Sequence, residues 1–267
     1  MKRFLKKWVL RALFGCINQE KLLSTLLKIN YCAGADITSG GEAKAMRYLH
    51  QVLLKKYPDC QYELFDVGAN IGNYSIELNK EFGKKAKIEA FEPLNSTFRQ
   101  LLDHVKSSRE IVCHNVGFSD QKVSLPVYTS TNRSTLASVY HRRLDHFNIE
   151  MNIMEECQFI SVDEFCKDND IERIHFLKID VEGHELAVLR GARKMIEDRK
   201  IDYIQFEFGG CNIDSRTFFQ DFWYLLHEKY HIYRIIPTGL YPIKEYTEMR
   251  EIFLCSNYLA ELKSESL

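Results

Sequence analysis

The chain lacks a net charge of either sign. Its 36 Lys and Arg face 37 Asp and Glu, for a net charge of −1, which excludes the global basic field of a nucleic-acid binder. It also lacks paired cysteines. The eight stand at 16, 32, 60, 113, 157, 166, 211 and 255, no two closer than nine residues, which excludes CxxC metal or redox spacing. Thiols so scattered read as reduced, small buried hydrophobes of a cytoplasmic protein. No apolar run approaches the ~20 residues of a membrane span, and no internal repeat or low-complexity segment occurs.

What remains is globular: 45% apolar and 27% charged residues. A length of 267 residues suits one large core with an accessory segment. The opening stretch, MKRFLKKWVLRALFGCIN, sets Lys2, Arg3, Lys6 and Lys7 before apolar residues, as a signal peptide does. Arg11 splits that run, and no clean small-residue cleavage site follows. Phe4, Leu5, Trp8, Val9, Ala12 and Leu13 instead recur at helical spacing, giving a basic amphipathic helix. Its apolar face would dock on the protein's own body or on a sister subunit of a homo-oligomer. Alternatively, residues 1–18 lie peripherally on an anionic inner-membrane face.

Residues 1–57 read as a helical extension or cap, and residues 58–267 as the main domain. In the extension, Ala45, Tyr48, Leu49, Val52 and Leu53 share one helix face. From Tyr62 onward, short apolar runs alternate with helices. YELFDV, KIEAFEP, EIVCHNVGFS, IHFLKIDVEG and DYIQFEFGG read as strands. GNYSIELNKEF, NSTFRQLLDHVK (with Asn95 or Ser96 as N-cap), HELAVLRGARKMIEDRK and residues 215–230 read as helices. HIYRIIPTG and EIFLCSNYL close the chain as a hairpin-like strand pair. This alternation predicts an α/β, Rossmann-like, doubly wound and mostly parallel sheet. An insert at about 121–158 interrupts it with an edge strand, KVSLPVYTS, and reads as a lid or binding loop.

In YELFDVGANIGNYS the first strand ends in Asp66, followed by Gly68, Asn70 and Gly72. In doubly wound sheets ligands sit at this end of the strands; glycine lets them approach the backbone, and a helix start offers spare N–H groups. A dinucleotide turn is G-x-G-x-x-G, seating an anion, whereas positions 70 and 73 here are Asn70 and Asn73. A neighbouring carboxylate suits a cationic ligand better: S-adenosylmethionine, with its ammonium and sulfonium groups. Glu92 ends the second strand 24 residues after Gly68, where an acid accepts ribose hydroxyls.

FDVGANIGNYS, AFEP, NVGFSD, SVDEF and above all LKIDVEGHELAVLRGA resemble the FkbM family of S-adenosylmethionine-dependent methyltransferases, over about residues 62–210. The resemblance implies the class I methyltransferase sheet with a C-terminal antiparallel strand. It implies methyl transfer to a hydroxyl of a sugar, glycan or related natural product. It makes Asp66, Gly68, Asn70 and Gly72 the methionine-side cradle, Glu92 the ribose ligand, and the Asn115–Asp120 segment the adenine reader through Asn115, Asp120 or an N–H near Val116. Asp180, Glu182 and Glu207 then converge on the rim facing the methyl group. Asp180 or Glu182 would act as base and Glu207 would orient the acceptor, Asp180 also bordering the donor; His184 and His141 are further candidates. The three acids could instead hold Mg²⁺. Arg142 and Arg143 offer an anionic acceptor a partner, as Ser134, Thr135, His141 and His184 offer one to hydroxyls; each could equally be an ordinary surface residue. A catalytically silent methyltransferase-like binding module and a nicotinamide-dependent oxidoreductase are the rival functions.

If residues 1–18 lie on a membrane, their deletion shifts the chain from the membrane to the soluble fraction. Unchanged partition returns the helix to a protein surface.

Overall fold

The computed structural model describes residues 19–31, 37, 39–130 and 133–264. The amphipathic segment 1–18, Cys16 and Cys32 lie outside the described residues. Among the described residues two helices come first, α1 (Gln19–Tyr31) and α2 (Glu42–Lys56). The alternation then runs β1 (Tyr62–Val67), α3 (Asn73–Phe82), β2 (Ala86–Phe91), α4 (Asn95–Val105) and β3 (Ile111–His114). Next come β4 (Gly117–Phe118), β5 (Val123–Ser130), β6 (Arg133–Ser138), β7 (Ile153–Ile160) and α5 (Val162–Asp168). The chain returns through β8 (Ile174–Ile179), α6 (Glu185–Gly191), α7 (Arg193–Glu197) and β9 (Ile201–Phe208). It ends with α8 (Cys211–Ser215), α9 (Phe219–Leu226), β10 (Tyr230–Ile236), β11 (Gly239–Ile243) and β12 (Ser256–Leu262).

The main sheet has the order β11-β10-β12-β9-β8-β1-β2-β3. From β3 to β9 every pairing is parallel. β12 inserts antiparallel between β9 and β10, so the C-terminal antiparallel strand is present. The order reverses between β1 and β8, leaving a crevice at their carboxyl ends. β8 is buried at every residue, as strands covered on both faces are. One core packs Leu177, Ile179, Phe206, Phe208 and Phe222. A second packs Leu64, Ile88, Phe176 and Tyr203 against Leu49 and Leu53 of α2.

Several elements differ from the sequence reading. EIVCHNVGFS is two strands in two sheets, broken where the Asn115 side chain donates to the carbonyls of Glu92 and Pro93 at 3.0 Å each. KVSLPVYTS is not an edge strand: β5 lies between β7 and β6 in a second sheet of order β4-β7-β5-β6. The long helix after β8 divides at Ala192, because the Asp163 carboxylate accepts from the N–H groups of Lys194 and Met195 at 2.8 and 3.0 Å and starts α7 anew. α4 begins after Leu94, and its first N–H, on Asn95, goes to Glu155 of β7 rather than to a cap of its own. The two closing strands do pair antiparallel, as β10 with β12, but the hairpin on the other edge of β10 is made with β11, which the sequence reading missed.

α2 is part of the core. Leu53 is fully buried, so Leu53→Ala is expected to cost about 2–5 kcal/mol in urea unfolding. A cost below about 1 kcal/mol would make α2 a detachable cap.

Candidate active site

The carboxyl ends of β1, β2 and β8 open into a cavity of about 310 Å³. The second sheet walls one side of it through Val127, Thr135, Ala137 and Ser138. Gly68, Asn70, Glu92, Asp180, Glu182 and Glu207 all line it, as does His184.

The turn after β1 is built for close packing. A Cβ on Gly68 would stand 1.9 Å from the Asp180 carbonyl, and its φ is +80°, a region costly for any other residue. Gly72 does not line the cavity; a Cβ there would meet Leu101 and Val105 of α4 at 2.6 and 2.8 Å, so this glycine serves helix packing. Nor are the N–H groups of the turn spare. Those of Gly68 and Ala69 go to the Phe91 carbonyl at 3.1 and 2.9 Å, and that of Gly72 to the Ala69 carbonyl at 2.8 Å. That of Asn70 goes to Glu92 at 3.1 Å, and that of Ile71 to the Asn70 side chain at 2.7 Å.

Asp66 also departs from its expected place. It is fully buried beneath the cavity, accepting from Ser75 Oγ at 2.6 Å and pairing with Lys178 Nζ at 3.1 Å. Lys178, which sequence reasoning missed, pairs with Asp180 at 3.4 Å and sits 4.7 Å from the centre of the Tyr74 ring. Burial pulls this ammonium down, but Asp66, Asp180 and Glu42 hold it above the usual lysine range.

Glu92 is held by the N–H groups of Asn70 and Leu94, the latter at 2.9 Å. Burial pushes its carboxyl up to about 7. Asn115 braces the carbonyls beside it and does not line the cavity; Asp120, accepting from Ser119 Oγ at 3.2 Å, is exposed outside it.

The loop after β8 is organised by Glu185, whose Oε1 accepts from the N–H groups of Val181 and Gly183 at 3.1 and 3.0 Å. Glu182 takes a left-handed φ of +52°; burial and Asp180 push its carboxyl up, while Arg142 pulls it down. Burial, with Asp180 and Glu182, pushes Glu207 well above the usual range; it accepts from Cys255 Sγ at 2.7 Å.

Arg142 is not available to an anionic acceptor. It is buried outside the cavity, paired with Glu182 and, at 3.6 Å, with Asp214. The backbone N–H of Arg143 also reaches Asp214, at 3.3 Å. His141 is exposed, edge-on to Tyr128 at 5.1 Å. His184 has both ring nitrogens engaged, Nδ1 with Tyr140 Oη at 3.2 Å and Nε2 with Ser119 Oγ at 3.0 Å. Burial lowers it to about 4, so it is neutral at pH 7 and serves as a clasp. The side chain of Ser134 lies outside the described residues. Glu182, Glu207 and Cys211 place ligand atoms within 4.8 Å of one another. A thiol in that set and the Arg142 pair on Glu182 are unlike the oxygen shell of Mg²⁺.

A model of the methyltransferase FkbM domain matches residues 66–235. The chain therefore belongs to the FkbM family of S-adenosylmethionine-dependent methyltransferases, and its sheet is the class I methyltransferase fold. Methyltransferase 1 of Beauveria bassiana is 26% identical over 150 residues, 51% of this chain and 59% of that protein. Hexuronic acid methyltransferase AglP of Haloferax volcanii is 25% identical over 147 residues, 55% of this chain and 56% of that protein. The match thus spans less than two thirds of each relative. Among solved structures, an S-adenosylmethionine-dependent O-methyltransferase of Thermotoga maritima is similar at 12% identity, with a TM-score of 0.40, over 84% of this chain and 67% of that one.

The residues present fit S-adenosylmethionine. Glu92 offers a desolvated carboxylate to a ribose diol, and Phe91, Leu94 and Phe118 offer an apolar wall to a purine. Carboxylates outnumber cations at the Asp180 end, as a ligand carrying ammonium and sulfonium groups requires.

Glu185 is fully buried, and burial pushes it up to about 7 from 4.5. The folded state then binds the extra proton, so this stability is full below pH 4.5 and is lost as pH rises through about 7. His184 acts oppositely: its stability is present above pH 6.5 and is lost as pH falls through about 4. Glu185→Gln keeps the acceptor oxygen and removes the charge. Unfolding measured from pH 4.5 to 8 is expected to lose on the order of 3 kcal/mol through this group in the native chain, and E185Q is expected to flatten that slope. An unchanged slope would assign the effect elsewhere.

Proposed function

We propose that the chain is an S-adenosylmethionine-dependent O-methyltransferase acting on a hydroxyl of a sugar, glycan or related natural product. The observation that carries this reading is the cavity itself. Glu92 sits at the nucleoside end, and Asp180, Glu182 and Glu207 share the rim beyond it. When bound, S-adenosylmethionine supplies a methyl group already joined to a good leaving group, so alignment provides much of the rate.

The remaining task is the acceptor proton. The Asp180/Glu182 pair is suited to receive it. Burial and the charge of Asp180 raise Glu182 toward the working pH, and Arg142 moderates the rise. Asp180 is the more open of the two, its side chain 38% exposed. Glu207, whose carboxyl burial pushes well above the usual range, orients the acceptor by hydrogen bonding. With Arg142 consumed by Glu182 and Asp214, the rim recognises hydroxyl donors better than anions. The hexuronic acid methyltransferase among the relatives supports a sugar-like acceptor.

Incubating glycan and metabolite extracts with isotopically labelled methyl donor is expected to yield a methylated product by mass spectrometry. D180N or E182Q is expected to lower turnover about 10²–10⁴-fold, and E207Q to weaken acceptor binding. Native turnover in all three variants would remove the carboxylates from the mechanism.

A further inference from the structure

Glu42 opens α2, outside the region that matches the family, which begins at residue 66. It is only 9% exposed and lines the same cavity. Its Oε1 accepts from Gln205 Nε2 at 2.8 Å, and Gln205 Oε1 in turn accepts from Tyr74 Oη at 3.0 Å. Side chains from α2, β9 and α3 thus fix one carboxylate at the cavity wall. A helix dipole explains an acid in a first turn, but not why that acid faces the cavity or why two buried side chains buttress it.

The charges around it do not balance. Glu42, Asp180 and Glu207 border this end, with Asp66 beneath. The buried ammonium of Lys178 contacts Asp66 and Asp180 at 3.1 and 3.4 Å. Burial raises Glu42, Lys178 and the Gln205 hydrogen bond pull it back, and Asp180 and Asp66 raise it again, leaving it above its ordinary value; an arriving cation would relieve this. A sulfonium makes no hydrogen bonds, whereas an ammonium donates three. A buttressed carboxylate fits the second.

We propose that Glu42 binds the α-ammonium group of the methyl donor, so that α2, and not only the family-matched region, completes the donor site. The assignment rests on the donor reading under Proposed function. It is separable from it, because S-adenosylhomocysteine carries the ammonium and 5′-methylthioadenosine, with the same nucleoside and sulfur, does not.

Calorimetric titration of the full chain with both ligands tests it. Glu42→Gln, which keeps an acceptor for Gln205, is expected to weaken S-adenosylhomocysteine about 10- to 100-fold, the worth of a charge-assisted hydrogen bond. Methylthioadenosine affinity is expected to change less than about twofold, which also reports that the variant is folded. Glu42→Asp should restore part of the lost affinity. Equal losses for both ligands, or an unchanged S-adenosylhomocysteine affinity, overturn the assignment and leave the donor reading standing. A native chain that binds neither nucleoside overturns both.

Discussion

One ammonium group ties the floor of the site together. Lys178 Nζ, buried at the end of β8, bridges Asp66 on β1 and Asp180 on the following loop, and lies over Tyr74 of α3. Desolvating such charges costs several kcal/mol per ion, and the two carboxylates, the nearby Glu42 and the aromatic face offset it. Asp66, with no exposed surface, depends on the same contact and on Ser75. Removing either partner would strand a buried charge, so the junction of β1 with β8 is held to one geometry. That junction is also where a Cβ at Gly68 would strike the Asp180 carbonyl. The crevice therefore exists because two strand tips approach closely and share one cation.

The charge left over decides what the crevice accepts. Lys178 is engaged by the acids below and beside it, yet Glu42, Glu182 and Glu207 also line the wall. Burial raises all three, and the charge of Asp180 raises each of them further. Acids gathered in this way would repel a pyrophosphate and attract a cation. The turn points the same way. With the N–H groups from Gly68 to Ile71 spent on Phe91, Glu92 and Asn70, it cannot cradle a phosphate as a dinucleotide turn does.

Much of this was legible in the sequence, for reasons that can be named. Strand–helix alternation gave the parallel sheet, and an acid at the tip of KIEAFEP marked Glu92, which the fold places on the cavity wall. Lys178 stayed hidden because a lysine near the end of IHFLKI reads as a side chain reaching solvent. Glu42 stayed hidden because an acid in a first helical turn has an ordinary electrostatic explanation. Asp66 and Gly72 were noticed, but for the wrong contacts: one serves Lys178 and Ser75, the other α4. Spacing shows that a residue is constrained, and only the fold shows by what. Arg142 is the sharpest case, since nothing local indicates that Glu182, forty residues on, would claim it.

The second sheet carries this long-range coupling. A single segment fastens it to the loop after β8 in three places: Ser138 Oγ donates to the Glu182 carbonyl at 2.7 Å, Tyr140 bonds His184, and Arg142 pairs with the Glu182 side chain. Glu182 is thus held through both its backbone and its carboxylate by the insert, not by its own strand. The Lys178 end of the cavity rests on the sheet and α2, whereas the Glu182 rim rests on the insert. A change in the insert can therefore reshape the Glu182 rim while the Lys178 junction stays intact. The fixed part of the site and the adaptable part meet at one residue, Glu182, whose left-handed backbone is stabilised by contacts from both sides.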